Sequence, residues 1–276
     1  MTKRICVSVD VEEDFPGLVK GGMRGVEEGI PELLHLLEDV HVPADFFFQT
    51  PIVASHPDLV SRIAKSKHGI GNHGLNHAFL CTKPPAIQRE EITRSTRILE
   101  SVVPEATRMF RAAGFSANLV TLEILQELGY AIDSSILPGR RAKRFRVLPV
   151  YDHRAARRDP HFPVPSADGS ANTRLLEIPV TESPLRRGGP LGLGAINAYG
   201  LDNVLAAIRA VKENILVFLV HPWELIDARA YYPNVPAGLL HACSGDLSPF
   251  REFLTAAQTL GEFSTLPTLR RGFLGG

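Results

Sequence analysis

Two histidines, His73 and His77, lie four residues apart in segment 71–77, beside two glycines and two asparagines. If the residues after Asn72 form a helix, both histidines share one helix face, with Cβ atoms about 5–6 Å apart. Two imidazoles so placed can bind one divalent cation, together with a ligand from elsewhere in the chain. Two unrelated surface histidines are the alternative, so the metal interpretation depends on finding that third ligand.

Acidic residues that could supply this ligand follow the first apolar run of the chain. Residues 5–9 predict a buried strand, and the sequence Asp-Val-Glu-Glu-Asp comes next at 10–14. Acids at the end of a buried strand are costly unless they are paired or bound to a metal. On an extended backbone Asp10 and Glu12 point to the same side. A solvated acidic turn is the alternative that the sequence leaves open.

The elements that must position these groups alternate between strand and helix. Strands are predicted at residues 5–9, 42–49, 69–72, 108–111, 130–132, 175–180 and 216–220, with a further candidate at 263–266. Helices are predicted at 30–40, 57–66, 84–103, 119–128, 201–214 and 249–260. With no internal repeat or linker, this alternation predicts a single domain over residues 1–276, with parallel strands and helical crossovers.

Polar side chains recur where the predicted strands end. In parallel α/β architectures the carboxyl ends of the strands form the rim on which sites are built. We therefore expect the following residues to meet at one rim: Asp10, Glu12, His73, Arg111, Asp133 and His221.

The chemistry available at such a rim is hydrolytic. A carboxylate and two imidazoles form a metal site with open positions, and the metal polarises a carbonyl and lowers the pKa of bound water. A second carboxylate can take a proton from that water, and His221 can give one to a leaving amine. Arg111 can orient the base, and backbone amides near Ala112 and Ala113 can face the developing oxyanion. Together these groups predict hydrolysis of an amide or ester.

Five motifs, taken in order, resemble the polysaccharide deacetylase family, the NodB-homology enzymes of carbohydrate esterase family 4. They are Val-Asp-Val-Glu at 9–12, His-Gly-Leu-Asn-His at 73–77, Phe-Arg-Ala-Ala-Gly-Phe-Ser at 110–116, Asp-Ser-Ser at 133–135 and His-Pro-Trp-Glu at 221–224. The resemblance spans residues 5 to about 226 and looks closest to deacetylases of bacterial exopolysaccharide clusters. It implies a NodB-like α/β fold, a distorted (β/α) barrel of about seven strands. It also implies metal-dependent removal of an N-acetyl or similar acyl group from an amino sugar in a glycan or lipid-linked sugar.

The resemblance also implies roles for individual residues. Asp10 matches the general base, Arg111 the arginine that holds it, His221 the general acid, and Asp133 the acid that tunes the catalytic histidine. Glu12, His73 and His77 match the ligands of one divalent metal ion, which we expect to be Zn²⁺, with Co²⁺, Ni²⁺ or Mn²⁺ as alternatives.

Two departures from the family pattern matter here. The commonest motif has two adjacent aspartates, so Asp14 rivals Glu12 as the metal carboxylate. The arginine motif usually carries proline where Ala113 stands, which leaves the geometry of that loop open.

Further predictions concern the substrate. Trp223, the only tryptophan, stacks on a sugar or merely packs, and we name it with Phe115 as a substrate-binding residue. Residues 139–174 form a basic excursion, either a solvated loop or a clamp for an anionic group on the substrate. Its basic residues are Arg140, Arg141, Lys143, Arg144, Arg146, Arg154, Arg157 and Arg158. Nucleic acid is not expected, because no aromatic residues or binding motif accompany this charge.

The bulk composition is that of an ordinary globular protein. The 276 residues are 44% hydrophobic, and 30 basic residues balance 30 acidic ones, which gives no reason to expect nucleic acid or membrane as a partner. Three scattered cysteines suit a reducing cytosol, and no apolar run is long enough for a membrane span or a signal peptide. We therefore expect a cytoplasmic protein, and a homo-oligomer is compatible with the sequence.

Two other functions remain open at this point. One is a deformylase or cyclic-amide hydrolase of the same fold. The other is a catalytically inactive carbohydrate-binding barrel, in which Glu12 fails to replace an aspartate ligand.

Overall fold

The structure is a computed structural model that describes residues 2–105, 108–144, 147–165 and 174–275. Residues 145–146 and 166–173 of the predicted basic excursion, Arg146 among them, lie outside the described residues. The single domain predicted over residues 1–276 stays a prediction.

Ten strands are present in the described residues. They are β1 (Lys3–Val11), β2 (Ala44–Phe48), β3 (Gly69–Asn72), β4 (Met109–Phe110), β5 (Ile132–Asp133), β6 (Arg141–Arg144), β7 (Leu148–Asp152), β8 (Leu176–Glu177), β9 (Ile215–Val220) and β10 (Gly261–Phe263). The predicted strands are confirmed in position, although several are shorter than expected. The candidate strand at 263–266 lies earlier in the chain, as β10.

Eleven α-helices occupy most of the remaining described chain. They are α1 (Ile30–Asp39), α2 (Thr50–Ser55), α3 (Pro57–Ala64), α4 (Pro85–Val102), α5 (Leu119–Glu127), α6 (Leu193–Tyr199), α7 (Leu201–Ala210), α8 (Ala228–Tyr231), α9 (Ala237–Leu240), α10 (Ser248–Ala257) and α11 (Leu266–Gly275). Each helix predicted from apolar periodicity is present, and α1 has Pro31 in its first turn, as expected. None of the described helices is long and apolar enough to cross a membrane.

Seven parallel strands form a curled sheet in the order β9-β1-β2-β3-β4-β5-β8, and β10 pairs with the first residues of β1. Beyond β8, irregular chain bridges to β9: the Thr181 amide donates to the Val217 carbonyl at 3.3 Å, and the Leu219 amide donates to the Leu191 carbonyl at 2.9 Å. The predicted distorted (β/α) barrel of about seven strands is confirmed.

Strand β1 shows how this fold aims polar side chains inward. Successive side chains of a strand point to opposite faces, and on β1 Val7 and Val9 pack into the core shared with the helices. Cys6 packs instead into a second core cluster, which contains the inward-facing Phe47 of β2. The same alternation continues through Ser8, so the side chains of Asp10 and Glu12 face the barrel interior.

The basic excursion is more ordered than an irregular loop. Strands β6 and β7 form an antiparallel hairpin within it. The Tyr151 hydroxyl donates to the Gly114 carbonyl at 2.7 Å, so the hairpin is tied to the loop that follows β4. Strand pairing inside this excursion was not predicted, because its Arg- and Pro-rich composition hides the alternation that marks a strand.

Candidate active site

Three buried side chains and one exposed histidine meet where β1 and β3 end. Asp10 and Glu12 are 3% and 2% exposed, and His73 is 1% exposed. The Nε2 atom of His73 lies 3.2 Å from Glu12 Oε2 and 3.8 Å from Asp10 Oδ2. The Nε2 atom of His77 lies 3.3 Å from the same Glu12 oxygen. The predicted pair of histidines therefore converges on a single carboxylate.

The histidine segment reaches this position as a loop rather than as a helix. The Asn72 side-chain oxygen accepts the Gly74 amide at 2.8 Å, and Gly74 has a φ of 85°, which glycine adopts readily. The Thr50 amide and hydroxyl both donate to the Gly74 carbonyl at 3.1 Å. The shared helix face considered for the two histidines is thus absent, and a tight turn brings the rings together instead.

The rival carboxylate, Asp14, lies in a different environment. Both of its oxygens accept the Gly25 amide at 3.1 Å, and the Tyr232 hydroxyl donates to it at 2.7 Å. A Cβ at position 25 would lie 2.6 Å from Asp14 Oδ1, so glycine is needed for this close contact. Asp14 therefore stabilises the loop after β1 through these hydrogen bonds. Glu12 is the acid that faces His73 and His77.

Arg111 occupies the centre of the barrel and holds Asp10. The guanidinium is fully buried and donates to Asp10 Oδ1 at 2.8 Å, to the Ser8 hydroxyl at 2.9 Å, and to the carbonyl and hydroxyl of Ser134, each at 2.8 Å. Its Cζ atom lies 4.4 Å from the centre of the Phe47 ring. Burial alone would raise the pKa of Asp10, but Arg111 and the nearby histidines outweigh it and hold that pKa below its usual range.

His221 faces this group from the end of β9. Its Nε2 atom lies 4.0 Å from Glu12 Oε1, and its Nδ1 atom lies 3.5 Å from Glu224 Oε1. The ring of Trp223 stacks on it, with centroids 4.4 Å apart and planes at 20°. Burial lowers the pKa of His221, but Glu224, followed by Glu12 and Asp10, raises it to about 9.

Asp133, the predicted partner of His221, is engaged elsewhere. It accepts the Ser135 hydroxyl at 2.6 Å and the Ser135 amide at 3.1 Å, and the pairing of β5 with β8 sets it opposite Glu177. The carboxylate against His221 is Glu224, the last residue of the His-Pro-Trp-Glu motif, for which the sequence predicted no role. Its spacing, an acid three residues after the first residue of a helical turn, is the signal that could have identified it.

The amides of Ala112 and Ala113, in the loop after Arg111, differ in their hydrogen bonding. The Ala112 amide donates to the Ser135 hydroxyl at 2.8 Å, so Asp133 and Ser135 together fix this loop. Among the described residues, no acceptor lies within hydrogen-bond distance of the Ala113 amide. Of the two amides predicted to face an oxyanion, only that of Ala113 is available.

The two predicted substrate residues differ in accessibility. Trp223 is partly exposed, between the His221 ring and the Phe15 ring, whose centroid is 5.5 Å away. Phe115 is buried among apolar residues, with the Arg140 guanidinium 5.3 Å from its ring centre. Phe115 therefore packs within the protein, and its role as a substrate contact stays a prediction.

Several arginines of the basic excursion are already paired. Arg154 donates to Asp152 at 2.6 Å and holds the pKa of that carboxyl well below its usual range. Arg158 is ion-paired with Glu182, and Arg140 donates to the Tyr151 hydroxyl at 3.0 Å. The ion pairs of Arg154 and Arg158 reduce the charge left for an anionic substrate group, whereas Arg140 keeps its charge beside a neutral hydroxyl.

The carboxylate of Glu12 and the imidazoles of His73 and His77 are side chains that commonly bind a divalent metal ion. Ligands about 2.0–2.2 Å from a tetrahedral zinc lie about 3.4 Å from each other, close to the 3.2 and 3.3 Å between Glu12 and the two histidines. The Arg111 carbonyl lies 2.8 Å from His73 Nδ1 and accepts its proton, which leaves the Nε2 lone pair facing Glu12. Two acceptors so close need a cation or a proton between them.

Binding would require a small adjustment. Among the described residues, no three histidine, cysteine or acidic side chains already form a complete metal site. His77 is the ligand with room to move, because its side chain is 31% exposed on a loop.

Part of the chain is similar in sequence to proteins of one known family. Residues 21–132 match the sequence model of the polysaccharide deacetylase family. A peptidoglycan deacetylase of Helicobacter pylori is 24% identical over 125 residues, which cover 45% of this chain and 43% of that protein. The match thus spans less than half of the length of this curated relative.

Solved structures share the fold over nearly the whole chain. A Mycobacterium smegmatis protein, provisionally described as a polysaccharide deacetylase, aligns with a TM-score of 0.64 at 19% identity and covers 98% of this chain and 90% of its own. The Puue allantoinase aligns with a TM-score of 0.66 at 13% identity over 97% of this chain and 89% of its own. The match over residues 21–132 shows similarity to the polysaccharide deacetylase family, as the motifs predicted, and the solved structures show the same fold.

Proposed function

We propose that this protein is a metal-dependent hydrolase that removes an N-acetyl or similar acyl group from an amino sugar. The observation that carries the proposal is the convergence of five side chains at one end of the barrel: Asp10, Glu12, His73, His77 and His221. Chemically distinct groups from three separate strand ends meet there, as an acyl-transfer site requires.

Glu12, His73 and His77 would hold the metal ion. We expect Zn²⁺, since two imidazoles and one carboxylate are ligands that zinc commonly takes, with Co²⁺, Ni²⁺ or Mn²⁺ as alternatives. When bound, such an ion supplies Lewis-acid polarisation of the acyl carbonyl and lowers the pKa of water.

The remaining residues handle protons and charge. Asp10, kept ionised by Arg111, takes a proton from the attacking water. His221 donates a proton to the leaving amine from the opposite side of Glu12. The Ala113 amide can donate to the developing oxyanion, and the exposed part of the Trp223 ring can contact a sugar.

Metal content is the first test, because it does not depend on knowing the substrate. We expect about one equivalent of zinc in the purified protein, and a loss of about 10-fold or more in zinc affinity in His73→Ala and Glu12→Gln. Asp14→Asn is the matched control and should keep its metal. Equal zinc binding by Glu12→Gln and the natural protein would exclude Glu12 as a ligand.

Turnover is the second test. N-acetylglucosamine oligomers should release acetate, and Asp10→Asn should keep its metal while losing at least about 10²-fold in kcat. Because a fold neighbour is named an allantoinase, allantoin serves as the matched cyclic-amide substrate. Turnover of allantoin alone would replace the sugar proposal, and stoichiometric metal without turnover of either substrate would favour a binding protein.

The cellular location is also part of this proposal. Cys6, Cys81 and Cys243 are free thiols in the structure, which suits a reducing compartment such as the cytoplasm. Cysteine alkylation under denaturing conditions, on protein taken directly from cells, would test this, with three modified thiols expected because buried Cys6 also becomes accessible.

A further inference from the structure

Glu224 lies directly behind His221 and makes two contacts with it. Its Oε2 atom accepts the His221 backbone amide at 2.9 Å, while its Oε1 atom is 3.5 Å from the ring Nδ1. The opposite ring nitrogen, Nε2, faces Glu12 at 4.0 Å. The carboxylate therefore contacts the residue at both its backbone and its ring.

We propose that Glu224 is the positioning residue for His221: it keeps a proton on Nδ1 and aims Nε2 at the reacting centre. The catalytic meaning of this inference rests on the proposed function, whereas the structural claim about the ring does not. A carboxylate at one imidazole nitrogen selects the tautomer and orientation of the ring, so that the other nitrogen is presented to its target.

The position of the Glu224 side chain is itself imposed by packing. The residue is 8% exposed, and a Cβ at Gly194 would lie 2.6 Å from its Oε1 atom. The glycine-rich segment 188–194 thus leaves the space that the carboxylate occupies. Gly194 and Glu224 also line a cavity of about 170 Å³.

The turn that carries Glu224 does not depend on its carboxylate alone. The Asn197 side-chain amide and the Ser244 backbone amide both donate to the Glu224 carbonyl at 3.3 Å. Replacing the carboxylate should therefore leave the turn in place.

The kinetic test compares Glu224→Gln with Asp227→Asn, an exposed acid three residues further along the chain. On an N-acetylated amino sugar, Glu224→Gln should lower kcat by about 10²-fold with KM changed by less than about twofold, because the acid is misplaced while substrate binding is not. Asp227→Asn should behave as the natural protein. An unchanged kcat in Glu224→Gln would overturn the proposal.

A second pair of variants moves the carboxylate without removing its charge. Gly194→Ala places a methyl group against Glu224 Oε1, while Gly238→Ala lines the same cavity and meets nothing within 4 Å. Gly194→Ala should lower kcat and leave zinc content unchanged, and Gly238→Ala should alter neither. Equal kcat in the two variants would contradict the role of the carboxylate position.

Imidazole ¹⁵N NMR of His221, assigned by loss of its signals in His221→Gln, separates this inference from the proposed function. At a pH where the ring is neutral, the natural protein should carry the proton on Nδ1, and Glu224→Gln should show a mixture of tautomers. A neutral ring protonated on Nε2 in the natural protein would refute the inference, whether or not the enzyme turns over any substrate. Absence of turnover with the Nδ1 tautomer present would refute only the proposed function.

Discussion

Asp45 should make the protein less stable as the pH rises through neutrality. The side chain is fully buried at the amino end of β2; its Oδ2 accepts the Leu266 amide at 2.8 Å, while Oδ1 lacks a hydrogen-bond partner among the described residues. A Cβ at Gly69 would lie 2.1 Å from that Oδ1, so the neighbouring strand leaves room only for the acid. Burial raises the pKa of Asp45 to about 7.

The sign and size of the effect follow from this shift. Because the pKa is raised in the folded state, the unfolded chain releases this proton first, and stability is lost between about pH 4 and about pH 7. One pKa unit corresponds to about 1.4 kcal/mol, so the full penalty is about 4 kcal/mol, of which about 2–3 kcal/mol develops between pH 5 and pH 8. Asp45→Asn keeps the Leu266 contact and cannot ionise.

Urea unfolding from pH 5 to pH 8 measures this directly. The difference in unfolding free energy between Asp45→Asn and the natural protein should shift by about 2–3 kcal/mol in favour of the variant across that range. Asp58→Asn, at an exposed position on α3, is the control and should show no such shift. Parallel pH profiles for Asp45→Asn and the natural protein would refute the reasoning.

Three further predictions concern other buried groups. Burial, followed by Asp133, raises the pKa of Glu177, so Glu177→Gln should lose less stability than the natural protein between pH 6 and pH 9; a larger drop in Tm for the variant would contradict this. Asn118 caps α5 by accepting the Thr121 amide at 3.0 Å, so Asn118→Ala should lower the unfolding free energy by about 1 kcal/mol, and an unchanged urea midpoint would exclude the cap as a stabilising contact. In Arg111→Lys the ammonium group cannot reproduce the hydrogen bonds of the buried guanidinium to Asp10 and Ser134, so the free energy of unfolding in urea should fall by about 3 kcal/mol. A fall below about 1 kcal/mol would mean that lysine can replace this arginine.

The sequence predicted the frame of the site because that frame depends on local patterns. The apolar run of β1 and the glycines of β3 indicate strands that are confirmed, and parallel strands deliver their carboxyl ends to one rim. Period-2 alternation on β1 predicted that Asp10 and Glu12 share a side, and the structure places both beside His73.

What the sequence could not decide was which neighbours meet across the barrel. Asp14 lies two residues beyond Glu12 in a pattern that suits either as the metal carboxylate, but the chain leaves the strand direction after β1 and turns Asp14 toward Gly25 and Tyr232. Such a change of direction depends on loop packing far along the chain, which period-2 reasoning does not contain.

Contacts between distant segments also decide the surroundings of Asp133 and Phe115. Sequence resemblance assigned Asp133 to the catalytic histidine, but β8 places Glu177 against Asp133, while the turn after β9 folds Glu224 back onto His221. Phe115 is aromatic, as residues that contact sugars often are. In the structure the β6–β7 hairpin is bonded to its loop, and the Arg140 guanidinium lies over its ring. Residue types and strand periods alone predicted which side chains gather at the rim. Contacts between segments distant in sequence decided which acid faces which histidine, because those contacts depend on how the loops pack.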